Sequence, residues 1–95
     1  MREKEIETYL REKVRNAGGR AYKFVSPGND GVPDRMVCLP GGRVVFVELK
    51  APGKPPRPLQ IHQMGLLKQL GFRVEVIDSK EQVDSLMRTL GGDAT

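Results

Sequence analysis

The chain reads as an α/β domain in which a mixed four-stranded sheet lies between helices, in the order αβββαβα. Three observations predict this. Apolar residues recur at helical spacing in three separate stretches, short runs of strand-forming residues lie between them, and clusters of Gly, Pro, Asn and Asp mark the changes from one pattern to the other. At 95 residues the chain holds one modest core and not two, so residues 1–90 are expected as a single domain and 91–95 as a flexible tail.

The first helix is predicted over Glu3–Ala17. Ile6, Leu10 and Val14 recur at four-residue spacing with Tyr9 and Ala17 beside them, and Gly18-Gly19 suit the left-handed cap that ends a helix. At 100° per residue Glu3 falls near the middle of the apolar face, Glu7 on its edge and Glu5 opposite, which makes Glu3 the acid expected to point inward. The helix dipole favours acids in a first turn whatever they face, so the placement also has a purely structural explanation.

A first strand follows at Arg20–Val25, with Tyr22 and Phe24 on one face and Ala21, Lys23 and Val25 on the other. Ser26–Pro33 has the composition of a loop, in which Gly28 and Gly31 either let backbone N–H groups approach a phosphate or serve turn geometry alone. Arg35–Leu39 is the second strand, and Pro40-Gly41-Gly42 turns it into the third, Arg43–Lys50. Ala51–Pro58 contains four prolines with Lys54 and Arg57 among them, so it either presents those cations at small entropic cost or is a surface linker.

Pro58 suits the first turn of a second helix that ends at Leu70 before Gly71, with Ile61, Met64, Leu67 and Leu70 spaced to pack on the sheet. Phe72–Ile77 is the fourth strand, with Val74 and Val76 on one face. The last helix starts at Asp78-Ser79, where Ser79 and Gln82 fit a capping box, and carries the stripe Val83, Leu86, Met87, Leu90.

Lys and Arg number 16 against 12 Asp and Glu, a net charge of +4 that favours a polyanionic partner. The single cysteine, Cys38, is expected as a small hydrophobe within a strand. With His62 it cannot make a zinc site, and His62 is read as a surface or DNA-facing residue, not a general base. The amino terminus lacks the apolar core of a signal peptide and no apolar run approaches membrane-spanning length, so the expectation is a soluble protein of the cytoplasm.

The chemistry gathers between Gly31 and Lys50. Asp34 follows a turn, while Glu48 and Lys50 end the most apolar run in the chain and share one side of their strand. A charge in such a place needs a partner, and a hard divalent cation, which prefers oxygen ligands, satisfies both acids. Two carboxylates on adjacent strands beside a lysine are the parts of a metal-dependent phosphodiester hydrolase. Taken alone, the residues would equally be a solvated strand end and a turn.

Gly31-Val32-Pro33-Asp34-Arg35, then Val47-Glu48-Leu49-Lys50-Ala51-Pro52-Gly53 and Pro58-Leu59-Gln60, together resemble the virus-type replication-repair nuclease (VRR-NUC) domain, a branch of the PD-(D/E)XK nucleases, over nearly the whole chain. The resemblance implies the restriction-endonuclease-like core. It implies Asp34 and Glu48 as metal ligands with the Leu49 carbonyl as a third, Lys50 by the attacking water, and Gln60 beside the site. Glu3-Lys4-Glu5-Ile6 is similar to the Glu-x-x-(Ile/Leu) start of that superfamily, which favours Glu3, directly or through a water, with Glu7 and Glu5 behind it.

The implied cofactor is Mg²⁺, with Mn²⁺ as a substitute and no organic group. The implied activity is that of a homodimeric DNA endonuclease on branched DNA such as four-way (Holliday) junctions, in a bacterial, phage or prophage setting. Lys23, Arg35, Lys54 and Arg57 are the expected DNA-binding cations. The alternatives are a DNA-binding module, or a nuclease subunit that works only with a partner.

Overall fold

The computed structural model describes residues 1–93. Four strands, β1 (Arg20–Lys23), β2 (Arg35–Leu39), β3 (Arg43–Leu49) and β4 (Arg73–Ile77), stand side by side in sequence order. The first three are antiparallel, whereas β3 and β4 are parallel. A parallel neighbour needs a crossover, and α2 (Pro58–Gln69) supplies it. The chain therefore has the predicted αβββαβα order and a mixed sheet.

Strand alternation gives the sheet two different faces. Val45, Val47 and Leu49 point to the side where α1 (Glu3–Asn16) and α3 (Lys80–Asp93) lie, and there Ile6, Leu10 and Val14 of α1 meet Val83, Leu86 and Leu90 of α3 in the main core. The Tyr9 hydroxyl donates to Asp84 Oδ1 at 2.6 Å and ties the two helices, and Arg43 Nη1 donates to the Leu90 carbonyl. On the opposite face Phe46 and Val74 pack under Met64 of α2, with Phe24, Met36, Val44 and Leu67 around them. Residue 48 belongs to this second face, together with Val44 and Phe46.

Several elements differ from expectation. β1 ends at Lys23 instead of Val25. The Phe24 amide still donates to the Asp34 carbonyl at 2.8 Å, after which the chain leaves β2 for a turn closed by Asn29 N–H to Ser26 O. β3 stops at Leu49, although the Lys50 amide extends the pairing to the Ile77 carbonyl.

On α2 the buried line is Gln60 and Met64, flanked by Leu67, and not the stripe expected to include Ile61 and Leu70, which are both exposed. Val76 shares a face with Val74 yet is exposed, because the cover that Met64 gives Phe46 and Val74 does not extend to it. Cys38 is only half-buried. The last helix continues through Asp93, so residues 91–93 of the expected tail are helical and 94–95 lie outside the described residues. Among the described residues no helix is long and apolar enough to cross a membrane.

Candidate active site

The site forms where β2 begins and β3 ends. The register pairs Arg35 with Val47, so Asp34, one residue before, and Glu48, one residue after, come to the same end of the sheet. Asp34 Oδ2 accepts the Leu49 amide at 2.9 Å, which fixes its carboxylate against the strand that carries Glu48. Pro33 just before it is fully buried and anchors the loop on the protein side.

Glu48 is 1 % exposed. Its Oε2 accepts a hydrogen bond from Gln60 Nε2 at 2.7 Å and pairs with Lys50 Nζ at 3.1 Å. Gln60 is itself aimed by the Arg57 amide, which donates to Gln60 Oε1 at 2.8 Å across the first turn of α2. The Arg57 N–H can only donate, so the amide oxygen faces it and the NH₂ group is the one turned to Glu48. Gln60 is thus buried and holds the site, where a glutamine at a helix start is more often surface filler.

The other oxygen, Glu48 Oε1, is buried and has no hydrogen-bond partner among the described residues. Burial, with the negative charges of Asp34 and then Glu3, pushes the Glu48 carboxyl above the usual carboxylate range, against the opposing pull of Lys50. An unsatisfied buried carboxylate oxygen beside a second acid is where a cation lowers the energy most. Among the described residues no group of three or more His, Cys, Asp and Glu gathers at metal-holding distances. The side-chain oxygens that come together are thus those of two carboxylates, hard donors that suit a cation keeping much of its water shell.

The expected cations and helix acids are distributed unevenly. Glu3, the first residue of α1, is exposed. It is nevertheless the acid of the α1 start whose charge acts on Glu48, unlike Glu5 and Glu7. Glu7 instead pairs with Arg35 at 3.3 Å. Arg35 thus departs from the expectation of a DNA-facing cation: strand alternation turns it to the α1 face, where it is half-buried and also donates to the Ala21 carbonyl at 3.1 Å. Lys23, Lys54, Arg57 and His62 are exposed.

Gly31 adopts φ +90°, and a Cβ there would stand 2.9 Å from the Leu59 carbonyl oxygen. The glycine is needed for the loop's close approach to α2. Sequence reasoning missed this approach, the Asp34 bond to the Leu49 amide and the Arg35–Glu7 pair. Only the last left a trace, since an arginine that alternates with the core residues Val37 and Leu39 must face the helix.

No family model matches the chain. Over 81 residues it is 53% identical to a protein named "Putative nuclease p44" from Acyrthosiphon pisum secondary endosymbiont phage 1, a stretch that covers 85% of this chain and 87% of that protein. A solved structure described as a VRR_NUC domain superposes with a TM-score of 0.85 at 33% identity, covering 90% of this chain and 94% of that one.

Proposed function

Since the chain belongs to the VRR-NUC family of nucleases, we propose that residues 1–90 form a metal-dependent DNA endonuclease domain that acts on branched DNA such as four-way junctions. The observation that carries the reading is Glu48: a buried carboxylate, held on one oxygen by Gln60 and Lys50, unpartnered on the other and set beside Asp34.

In this reading Asp34, Glu48 and the Leu49 carbonyl hold Mg²⁺, or Mn²⁺ in its place, with Glu3 acting through a water. The bound cation supplies a water of lowered pKa and offsets charge on the phosphate. The protein's own residues do the rest. Gln60 keeps Glu48 in one rotamer, the Leu49 amide does the same for Asp34, and both acids therefore meet their ligand without reorganisation. Lys50 brings an ammonium to the same spot, where it orients the attacking water and offsets charge that develops on the scissile group. The exposed Lys54 and Arg57, on the proline-rich loop leading to Gln60, bind phosphates next to the cut.

Two active sites are needed to resolve a junction, and we take the active form as a homodimer. Leu59, Leu66 and Leu70 are exposed on one side of α2 and, with Gln63, fall at the 4-3-4 spacing of a helix-pairing seam, which supports contact with a second copy. The phage origin of the relative supports a setting in the bacterial cytoplasm, with phage or prophage DNA as substrate.

The test is incubation of the purified protein with single-stranded, duplex, flap and four-way junction DNAs, in Mg²⁺, Mn²⁺ or EDTA, with its mass measured in solution. Junction cleavage by a dimer, abolished by EDTA, is expected. Cleavage that persists in EDTA would overturn the metal site, and equal rates on duplex and junction would overturn the substrate choice.

A further inference from the structure

The chain reverses at Gly18-Gly19, so β1 runs back alongside α1, and between them lies a cleft of about 580 Å³ lined by Arg11, Arg15, Arg20, Tyr22 and Lys23. No acid lines it, and none of its four cations joins an ion pair among the described residues.

The cations are also arranged. Arg11 and Arg15 are one turn apart on α1, about 6 Å along its axis. Arg20 and Lys23 lie three steps apart on the edge strand, about 10 Å along it, and leave its opposite faces, so they line the cleft from the two sides of that edge. Arg20 rests over the Tyr22 ring with its guanidinium 5.9 Å from the ring centre, which holds it out from the strand. In the sheet Arg20 pairs with Cys38 and Lys23 with Arg35, the neighbour of Asp34. The Lys23 end of the cleft therefore adjoins the catalytic acids and the Arg20 end leads away from them.

We propose that this cleft is a second phosphate-binding track, which holds the sugar-phosphate backbone of the DNA a few nucleotides from the bond that is cut. It rests on the nuclease reading and extends it, since Lys54 and Arg57 are assigned to phosphates next to the cut and, of the cleft's cations, only Lys23 was expected from the sequence to bind DNA. Pockets for small molecules are lined mostly by apolar side chains, whereas four of the five side chains named here are cationic. Three are arginines, whose planar forks suit phosphate oxygens. The track reads charge and not sequence, so it suits a substrate recognised by its shape.

The decisive experiment compares the wild-type chain with Arg11→Gln/Arg20→Gln by fluorescence anisotropy on labelled duplex and four-way junction DNA in EDTA, over a series of salt concentrations. The expected result is a log–log salt slope smaller by about 0.9 for each phosphate that the variant no longer neutralises, and affinity weakened by roughly tenfold or more at moderate salt on both DNAs. Cleavage in Mg²⁺ should show the same rise in KM with kcat changed less than twofold, and Arg11→Lys/Arg20→Lys should restore most of the binding. Arg15→Gln/Lys23→Gln, measured in parallel, serves if the first pair lowers the melting temperature. Wild-type slope and affinity in both pairs would overturn the track while leaving the nuclease reading intact, and absence of DNA binding by the wild type would overturn both.

Discussion

Replacing Gly31 by alanine tests how closely the two halves of the site are held together. Two costs arise. Alanine at φ +90° carries a left-handed backbone penalty of about 1 kcal/mol. Its Cβ would also stand 2.9 Å from the Leu59 carbonyl oxygen and 3.0 Å from its carbon, a collision with main chain that no rotamer relieves, so the loop or the start of α2 must move. Overpacking of that kind costs about 1–2 kcal/mol more. The sum, roughly 2–3 kcal/mol, corresponds to a fall in melting temperature of about 10–20 °C in a domain of this size.

Gly28→Ala is the internal control. Gly28 has a similar φ of +83° but nothing within 4 Å of the added carbon, so only the backbone term applies and the fall should be about 4–8 °C. Thermal unfolding by circular dichroism measures both. Leu59 adjoins Gln60, and Gly31 lies three residues before Asp34, so Gly31→Ala should also slow cleavage roughly tenfold or more at temperatures well below its transition. Equal shifts for the two variants would refute the close approach to Leu59, and a destabilised Gly31→Ala protein with wild-type cleavage would refute its link to the site.

Asp34→Ala, Glu48→Ala and Lys50→Ala are each expected to lower cleavage at least 100-fold with DNA binding retained, and near-normal cleavage by Glu48→Ala would remove the proposed site. Glu3→Gln should reduce metal-dependent cleavage more than Glu5→Gln, because the charge of Glu3 reaches Glu48; a larger loss from Glu5 would reverse the assignment. For the metal-free protein the sign of the pH dependence follows from the raised Glu48 carboxyl. Between its ordinary value of 4.5 and its folded value the native state binds more proton than the unfolded chain, so stability from this group falls as pH rises through that window. Urea unfolding should therefore show this contribution growing as pH is lowered from neutrality, and Glu48→Gln should abolish it.

The fold was legible because periodicity carries it. Ile6, Leu10 and Val14 could pack on one side only, and Val44–Val47, apolar on both faces, suits a strand covered on both sides. Asp34 and Glu48 reach one another through β2–β3 pairing, which the Pro40-Gly41-Gly42 turn makes visible in the sequence. Phase within α2 was not legible. Its apolar residues are spread round the helix instead of gathered on one face, so hydrophobicity could not say that Gln60 is buried and Ile61 exposed; the hydrogen bonds of Gln60 to Glu48 and to the Arg57 amide decide it. Arg35 escapes a reading by charge alone, because its strand parity and not its charge sets the face it takes. The helical wheel singled out Glu3 among the acids at the start of α1, and its charge is the one that acts on Glu48, although the residue is exposed.

The core that joins α1 to α3 has a consequence for the order of synthesis. Ile6, Leu10 and Val14 are made early, and the partners they bury against include Val83, Leu86 and Leu90, made more than 60 residues later. Until α3 is made, α1 lacks the part of its packing surface that this helix supplies, and Glu3 has no fixed position relative to Glu48. The main core thus stays incomplete until α3 can fold against α1, and a message truncated before α3 should yield a fragment without that packing.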